Sequence, residues 1–139
     1  MTSPLRLIAQ DEDDLRVISA ALQDAVAKVG DITFEPATRQ LTIAFNRYRW
    51  EEGGRERVRS AVQFGCVLGV QSRNLRREAK AAVVELLAQS FEPGEAPGGV
   101  VSFTFAGGGD LRAEVECIDA ALADLSAPWP TPRKPEHSL

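Results

Sequence analysis

Large apolar residues recur at every second position through much of the chain, a period that predicts β-strands with one buried face. The stretch LTIAFN, residues 41–46, is the clearest case, because leucine, isoleucine and phenylalanine alternate with smaller or polar residues. The same period occurs in five other runs, at residues 32–34, 58–70, 83–91, 101–105 and 111–117. The pattern predicts about six or seven strands joined as antiparallel hairpins.

Glycine, proline and polar residues separate these runs and predict turns. Residues 36–39 and 51–54 are predicted hairpin turns, and the loop 92–99 contains two prolines and three glycines. The run 58–70 is too long for one regular strand, so we expect a bend or break near Gly65 or Gly69.

Three consecutive glycines at 107–109 raise the question of a phosphate-binding loop. Such a loop leaves a strand and opens directly into a helix, whose N-terminal amides hold the anion. Here a second alternating run follows instead, and neither Lys-Ser nor Lys-Thr comes after the glycines. A hairpin turn is therefore predicted at this position.

Two segments change to the three- and four-residue spacing of an amphipathic helix. Asp11 is a suitable N-cap for the first helix, with Leu15, Ile18 and Leu22 as its apolar stripe. The second segment is C-terminal, at residues 118–125, with apolar residues at positions 118, 121, 122 and 125. The chain is therefore expected to have one helix near each end.

Three further segments carry weaker signals. Residues 5–9 are predicted as a short strand. Residues 24–29 permit either an extension of the helix or a strand that ends at Gly30, and we favour the strand. Residues 76–90 permit a helix by propensity and a strand by alternation. We favour a strand over about 83–91 and leave 76–82 open.

The predicted fold class is α+β, either an antiparallel sheet or a small barrel of about six or seven strands, with an N-terminal helix and a C-terminal capping helix. This order of elements resembles a pleckstrin-homology-like barrel, in which a C-terminal helix closes one end. The resemblance concerns architecture alone and implies no function. We expect one globular domain over residues 1–126 and a proline-rich tail over 127–139, with Trp129 placed to fold back onto the domain.

The length and composition are those of one domain with its own core, because the chain has 139 residues and 44% of them are hydrophobic. No apolar run is long enough to span a bilayer, and the N-terminus lacks the charged and apolar regions of a signal peptide. A cytoplasmic location is therefore expected, with Cys66 and Cys117 reduced. Both cysteines fall on apolar positions of their runs, which predicts thiols packed in the core.

Charge is distributed unevenly along the chain, whose net charge is −4. Residues 39–80 carry ten basic and four acidic side chains, a net +6, whereas both flanking segments are acidic. The functional interpretation is an anionic partner for the middle segment. The simpler interpretation is that basic strands pair with acidic neighbours.

The predicted hairpin 46–59 is the best functional candidate, because it interleaves arginines with two aromatic residues. The candidate anion or partner patch comprises Arg47, Tyr48, Arg49, Trp50, Arg55, Arg57 and Arg59. Arginine forks bind phosphates and aromatic rings stack on bases, so anion or RNA binding is one interpretation. Cross-strand salt bridges with Glu51, Glu52 and Glu56 are the ordinary interpretation, and a protein interface is the third.

No motif brings together residues for catalysis or metal binding. The single histidine, His137, lies two residues from the end in the proline-rich tail, where it is not positioned to pair with serine or cysteine. Two cysteines 51 positions apart and one tail histidine do not form a zinc set. We therefore predict no enzymatic activity, no cofactor and no metal.

Several longer motifs carry a family resemblance. LQDAVAKVGDI, FEPGEAP, FAGGGDLRAEVECIDAALADL and the terminal PEH follow one another in the same order and spacing as in an uncharacterised alphaproteobacterial family known as domain of unknown function 2948. The chain resembles this family from Pro4 to His137. The resemblance implies a cytoplasmic bacterial protein of unknown role and transfers no catalytic residue.

The leading hypothesis is a non-enzymatic cytoplasmic binding or adaptor domain that acts through protein–protein contact, with another protein or a second copy of the chain as partner. The alternative is anion or RNA binding by the hairpin 46–59. A small enzyme that uses carboxylates or arginines in a pocket is the third hypothesis.

Overall fold

The computed structural model describes residues 4–131, and within this range the protein is antiparallel β-structure with eleven strands and one α-helix. The strands are β1 (Arg6–Ala9), β2 (Val26–Lys28), β3 (Ile32–Glu35), β4 (Gln40–Tyr48), β5 (Glu56–Phe64), β6 (Val67–Arg73), β7 (Val83–Pro93), β8 (Gly99–Phe105), β9 (Asp110–Val115), β10 (Ala120–Asp124) and β11 (Trp129–Pro130). Helix α1 spans Glu12–Ala21, and short 3₁₀ helices occur at Val29–Asp31 and Trp50–Glu52.

All strands belong to one open sheet with the order β1-β10-β5-β4-β2-β7-β8-β9-β6. The short strands β3 and β11 pair with β4 and β5, respectively. The sheet folds over so that the buried faces of its two halves share one core. At the centre, Phe64 of β5 and Phe103 of β8 pack edge to face, with ring centroids 5.7 Å apart at 87°.

Helix α1 packs against β1 and β7 and adds Leu15 and Ile18 to the core. Its start matches the predicted cap, because the Asp11 carboxylate accepts a hydrogen bond of 2.8 Å from the backbone N–H of Asp14. Three acidic residues in the first turn interact favourably with the positive end of the helix dipole and stabilise the start of the helix.

The predicted C-terminal helix is wrong, because residues 120–124 form strand β10 between β1 and β5. Residues 118 and 122 satisfy both a helical and a strand period, so the local pattern is ambiguous. A strand at this position fills the gap between two neighbours and forms a ladder on each side, which a helix cannot do.

The predicted α+β class, and with it the pleckstrin-homology-like barrel of six or seven strands with two helices, is also wrong, because the described chain is mostly antiparallel sheet with a single α-helix. The described sheet has more strands, and its ends at β1 and β6 remain open. Of the five strands with five residues or fewer, β1, β2 and β3 were predicted, whereas β10 was assigned to a helix and β11 is too short for a clear alternation of apolar and polar positions. The single alternating run 58–70 also contains two strands, β5 and β6.

Other local predictions are confirmed. Strand β7 covers the predicted 83–91, and β2 lies within 24–29. The long run 58–70 breaks after Phe64, where β5 ends and β6 begins at Val67. The glycines at 107–109 lie in the turn between β8 and β9, where Gly107 and Gly108 have φ values of 90° and 96°.

The structure also resolves the segment 76–82, which the sequence left open, and the position of Trp129. Residues 76–82 contain two turns, closed by hydrogen bonds from the amides of Ala79 and Ala82, and no helix. Trp129 does return to the domain, because β11 pairs with β5. His137 lies outside the described residues.

Candidate functional site

The hairpin of β4 and β5 divides the predicted patch between two environments. Arg47 points to the inner face and is completely buried, and Arg49, just beyond the end of β4, is also buried. Tyr48, Arg57 and Arg59 occupy the opposite parity and lie on the outer face. The seven residues therefore do not form one continuous surface.

All five N–H groups of the Arg47 guanidinium have protein acceptors. Its Nε and Nη2 atoms each lie 3.0 Å from an oxygen of Asp124, and its Nη1 and Nη2 atoms lie 3.0 and 2.8 Å from the oxygens of Glu51. The Nε atom is also 3.1 Å from Ser60 Oγ, which donates to Asp124 at 2.6 Å. The remaining Nη1 hydrogen faces the Tyr48 carbonyl at 3.1 Å. No donor remains for a phosphate.

Arg49 is paired in a similar way. Its Nη1 atom donates to the Glu56 carboxylate, and its Nη2 atom lies 3.8 Å from Glu52. These contacts and the Arg47–Glu51 pair are the salt bridges that the ordinary interpretation of the hairpin predicts. The additional partner of Arg47, Asp124, comes from β10, which the sequence pattern assigned to a helix.

The pKa values indicate that the Arg47 cluster is charged at neutral pH. Burial alone would raise the pKa of Asp124, but hydrogen bonds from Arg47, Ser60 and the Leu5 amide lower it below its ordinary value. The hydrogen bond from Arg47 lowers the pKa of Glu51. Burial would lower the pKa of Arg47, but its hydrogen bonds to both carboxylates raise it.

These shifts predict that acid destabilises the protein through this cluster. Both carboxylates have lower pKa values when folded than in the unfolded chain, where about 3.9 and 4.3 are ordinary. Their contribution is therefore complete above about pH 5 and is lost as the pH falls through the unfolded and then the folded values. Urea unfolding between about pH 6 and pH 2 measures the loss. Asp124→Asn should lose less stability over this range, and an equal loss in both proteins would contradict the assignment.

The outer side of the hairpin carries aromatic and basic residues in contact. The Arg57 guanidinium lies 4.0 Å from the centre of the Tyr48 ring and also donates to its hydroxyl. Trp129 is the cross-strand neighbour of Arg57. Arg59 donates to Asp31 at 2.9 Å, whereas Arg55 is exposed and has no side-chain hydrogen bond or ion pair with residues 4–131.

A surface that the sequence did not suggest lies beside the hairpin on the same side of the sheet. The next outward positions on β1 and β5, Arg6 and Arg59, are charged and border this surface. The surface consists of seven uncharged residues at outward positions of β1, β10, β5 and β4, and we call it the outer sheet face: Ile8, Thr42, Ala44, Ala61, Gln63, Ala121 and Ala123. None of these residues is charged, and each is exposed or half-buried.

The outer sheet face was not predicted because alanine can occupy either the buried or the outward positions of a strand. At residues 44 and 61 it counts as apolar in composition but takes the outward positions of its strand. At residues 121 and 123 the helical interpretation hid the outward positions altogether. The available signal was the lack of charge in the outward positions of 41–46.

The prediction that both cysteines are packed in the core is wrong. Cys66 lies between β5 and β6, Cys117 follows β9, and both are half-buried free thiols. The two lie together, because the Glu116 amide donates to the Cys66 carbonyl at 3.0 Å. A thiol–thiol hydrogen bond with Cys117 raises the pKa of Cys66. The alternation of buried and exposed positions does not apply to these cysteines, because both lie just beyond the ends of their strands.

Between residues 4 and 131, no group of three or more His, Cys, Asp or Glu residues is arranged to hold a metal ion. In the same part of the chain, no helix is long and apolar enough to cross a membrane.

An open antiparallel sheet folded over one core defines a small β-domain. The chain belongs to the family described as Protein of unknown function (DUF2948), whose model matches residues 5–137. The family resemblance is thus confirmed, whereas an alphaproteobacterial origin stays a prediction. No curated protein and no solved structure matches the chain.

Proposed function

We propose that the protein is a binding domain that associates with a second copy of itself through the outer sheet face. The observation that carries this proposal is the absence of charge from seven adjacent outward positions, in a chain of which 26% of residues are charged. A charge-free exposed area of this kind is typical of a surface that becomes buried against protein.

The shape and size of the face suit packing against another sheet. Alanine side chains are short, so two such faces can approach to the ~10 Å spacing of packed sheets. The seven residues occupy two successive outward rows, roughly 13 Å along the strands, and four strands span about 20 Å, so two copies would bury about 500 Å². This area is below the range of stable specific protein–protein interfaces, so the association is expected to be weak.

The uncharged face is complementary to itself, which favours a second copy as the partner, and the charges lie at its rim. Arg6 lies at the β1 edge of the sheet, and Glu35 lies on β3 beside the opposite edge of the face. A two-fold axis that runs along the strands places the β1 edge of one copy over the β3–β4 edge of the other. The uncharged centres then pack together, while Arg6 and Glu35, which the register sets four residues apart along the strands, stay at the rim.

The test is the oligomeric state measured by size-exclusion chromatography with light scattering over a range of concentrations. Wild type is expected to dimerise weakly, with a Kd of about 100 μM or higher, because the area is small. Ala121→Glu places a charge in the face and should give monomers. Ala88→Glu is the matched control, an exposed alanine on β7 outside this face, and should dimerise like wild type.

A wild-type protein that stays monomeric at all concentrations would overturn the proposal, as would equal dimerisation of both variants. The hairpin supports anion or RNA binding less well, because the guanidiniums of Arg47 and Arg49 are occupied by carboxylates. That alternative predicts salt-sensitive retention of the wild type on RNA, weakened by Arg55→Glu.

A further inference from the structure

The two halves of the sheet enclose a pocket at the end formed by β3, β4, β6 and β9. Its volume is about 340 Å³. The apolar part of its lining includes Ile32, Phe34, Leu41, Val70, Leu75 and Leu111. Because these side chains come from both halves of the sheet, the pocket is an opening into the edge of the core.

Two basic side chains, Arg77 and Lys80, complete the lining on the loop between β6 and β7. Both residues are exposed, and neither forms a side-chain hydrogen bond or ion pair with the residues described. The lining includes no acidic residue. Unlike the paired arginines of the hairpin, these two cations are available for an external anion.

The loop that carries these cations is held in place on both sides. The Gly30 amide donates to the Lys80 carbonyl and the Val29 amide to the Ala82 carbonyl, both at 2.9 Å. On the other side Leu75 packs so closely on Gly109 that a Cβ there would lie 2.7 Å from Leu75 Cδ2. The backbone beneath the basic side chains is therefore positioned before any ligand arrives.

We infer that this pocket binds a small amphipathic carboxylate, such as a medium-chain fatty acid. The acyl chain would lie among the apolar side chains, and its carboxylate would meet Arg77 and Lys80 at the rim. The volume is at the small end of the range for ligand pockets, about 300–1,000 Å³, which favours a short chain. The inference does not depend on dimerisation.

Isothermal titration calorimetry of the full chain with octanoate tests this inference. Acetate supplies only the charge and octanol only the chain, so both should bind more weakly than octanoate. The double variant Arg77→Gln/Lys80→Gln should weaken octanoate binding about tenfold or more, since it removes two charge-assisted contacts. Arg112→Gln, at an exposed position on β9 outside the pocket lining, is the matched control and should bind like wild type.

A filling variant separates the pocket from general surface attraction. Ser72→Phe places a ring in the pocket wall on β6 and should abolish octanoate binding, with circular dichroism and the thermal midpoint checking its fold. The inference is overturned if wild type does not bind octanoate, if octanol binds as tightly, or if a folded Ser72→Phe protein binds normally. Each outcome is independent of the oligomeric state, so failure here leaves the proposed dimer untouched.

Discussion

Arg47→Met is expected to destabilise the protein by about 3–5 kcal/mol, because it leaves a buried carboxylate without its partner. Asp124, whose side chain is 4% exposed, would retain only Ser60 and the Leu5 amide as hydrogen-bond donors. Glu51 is more exposed and can turn towards water. The free energy of unfolding in urea at neutral pH measures the loss.

A double-mutant cycle shows whether the loss comes from the charge. Asp124→Leu combined with Arg47→Met removes both buried charges, and the pair should recover much of the stability lost in either single variant. Arg55→Met is the matched control, since Arg55 is exposed and unpaired among the described residues, and should change stability by less than about 0.5 kcal/mol. A strictly additive double variant would contradict a coupled pair.

Phe103→Ala is expected to destabilise the protein by about 3–5 kcal/mol, because it opens a cavity between the two halves of the sheet. Phe103 is completely buried and packs edge to face on Phe64 across the core. The two strands involved, β5 and β8, are not neighbours in the sheet, so this contact holds the fold closed. The shift of the urea midpoint at constant m-value reports the change.

The matched control for this cavity is Leu87→Ala on β7, where the side chain is 48% exposed. It should cost about 1 kcal/mol or less, because little apolar area leaves the core. If both substitutions have the same effect, the contact between the two halves is not what closes the sheet.

The hairpin shows how far sequence reasoning reaches. Arg47 shares the parity of the apolar residues in β4, so the pattern alone requires it either to reach water or to meet acids. Glu51 is close in sequence and was a predicted partner. Asp124, 77 positions away, was not, because its segment was assigned to a helix. The local part of the network was predictable and the distant part was not.

The sequence by itself determined the elements that depend on interactions between residues close together in the chain. The Asp11 cap, the glycine turn at 107–109, the break after Phe64 and the long alternating strands all belong to this group. The tertiary structure decided that residues 120–124 are a strand, because a ladder on each side outweighs a weak helical period. It also decided the outer sheet face and the pocket, since both assemble side chains from distant strands whose order in the sheet no local pattern encodes.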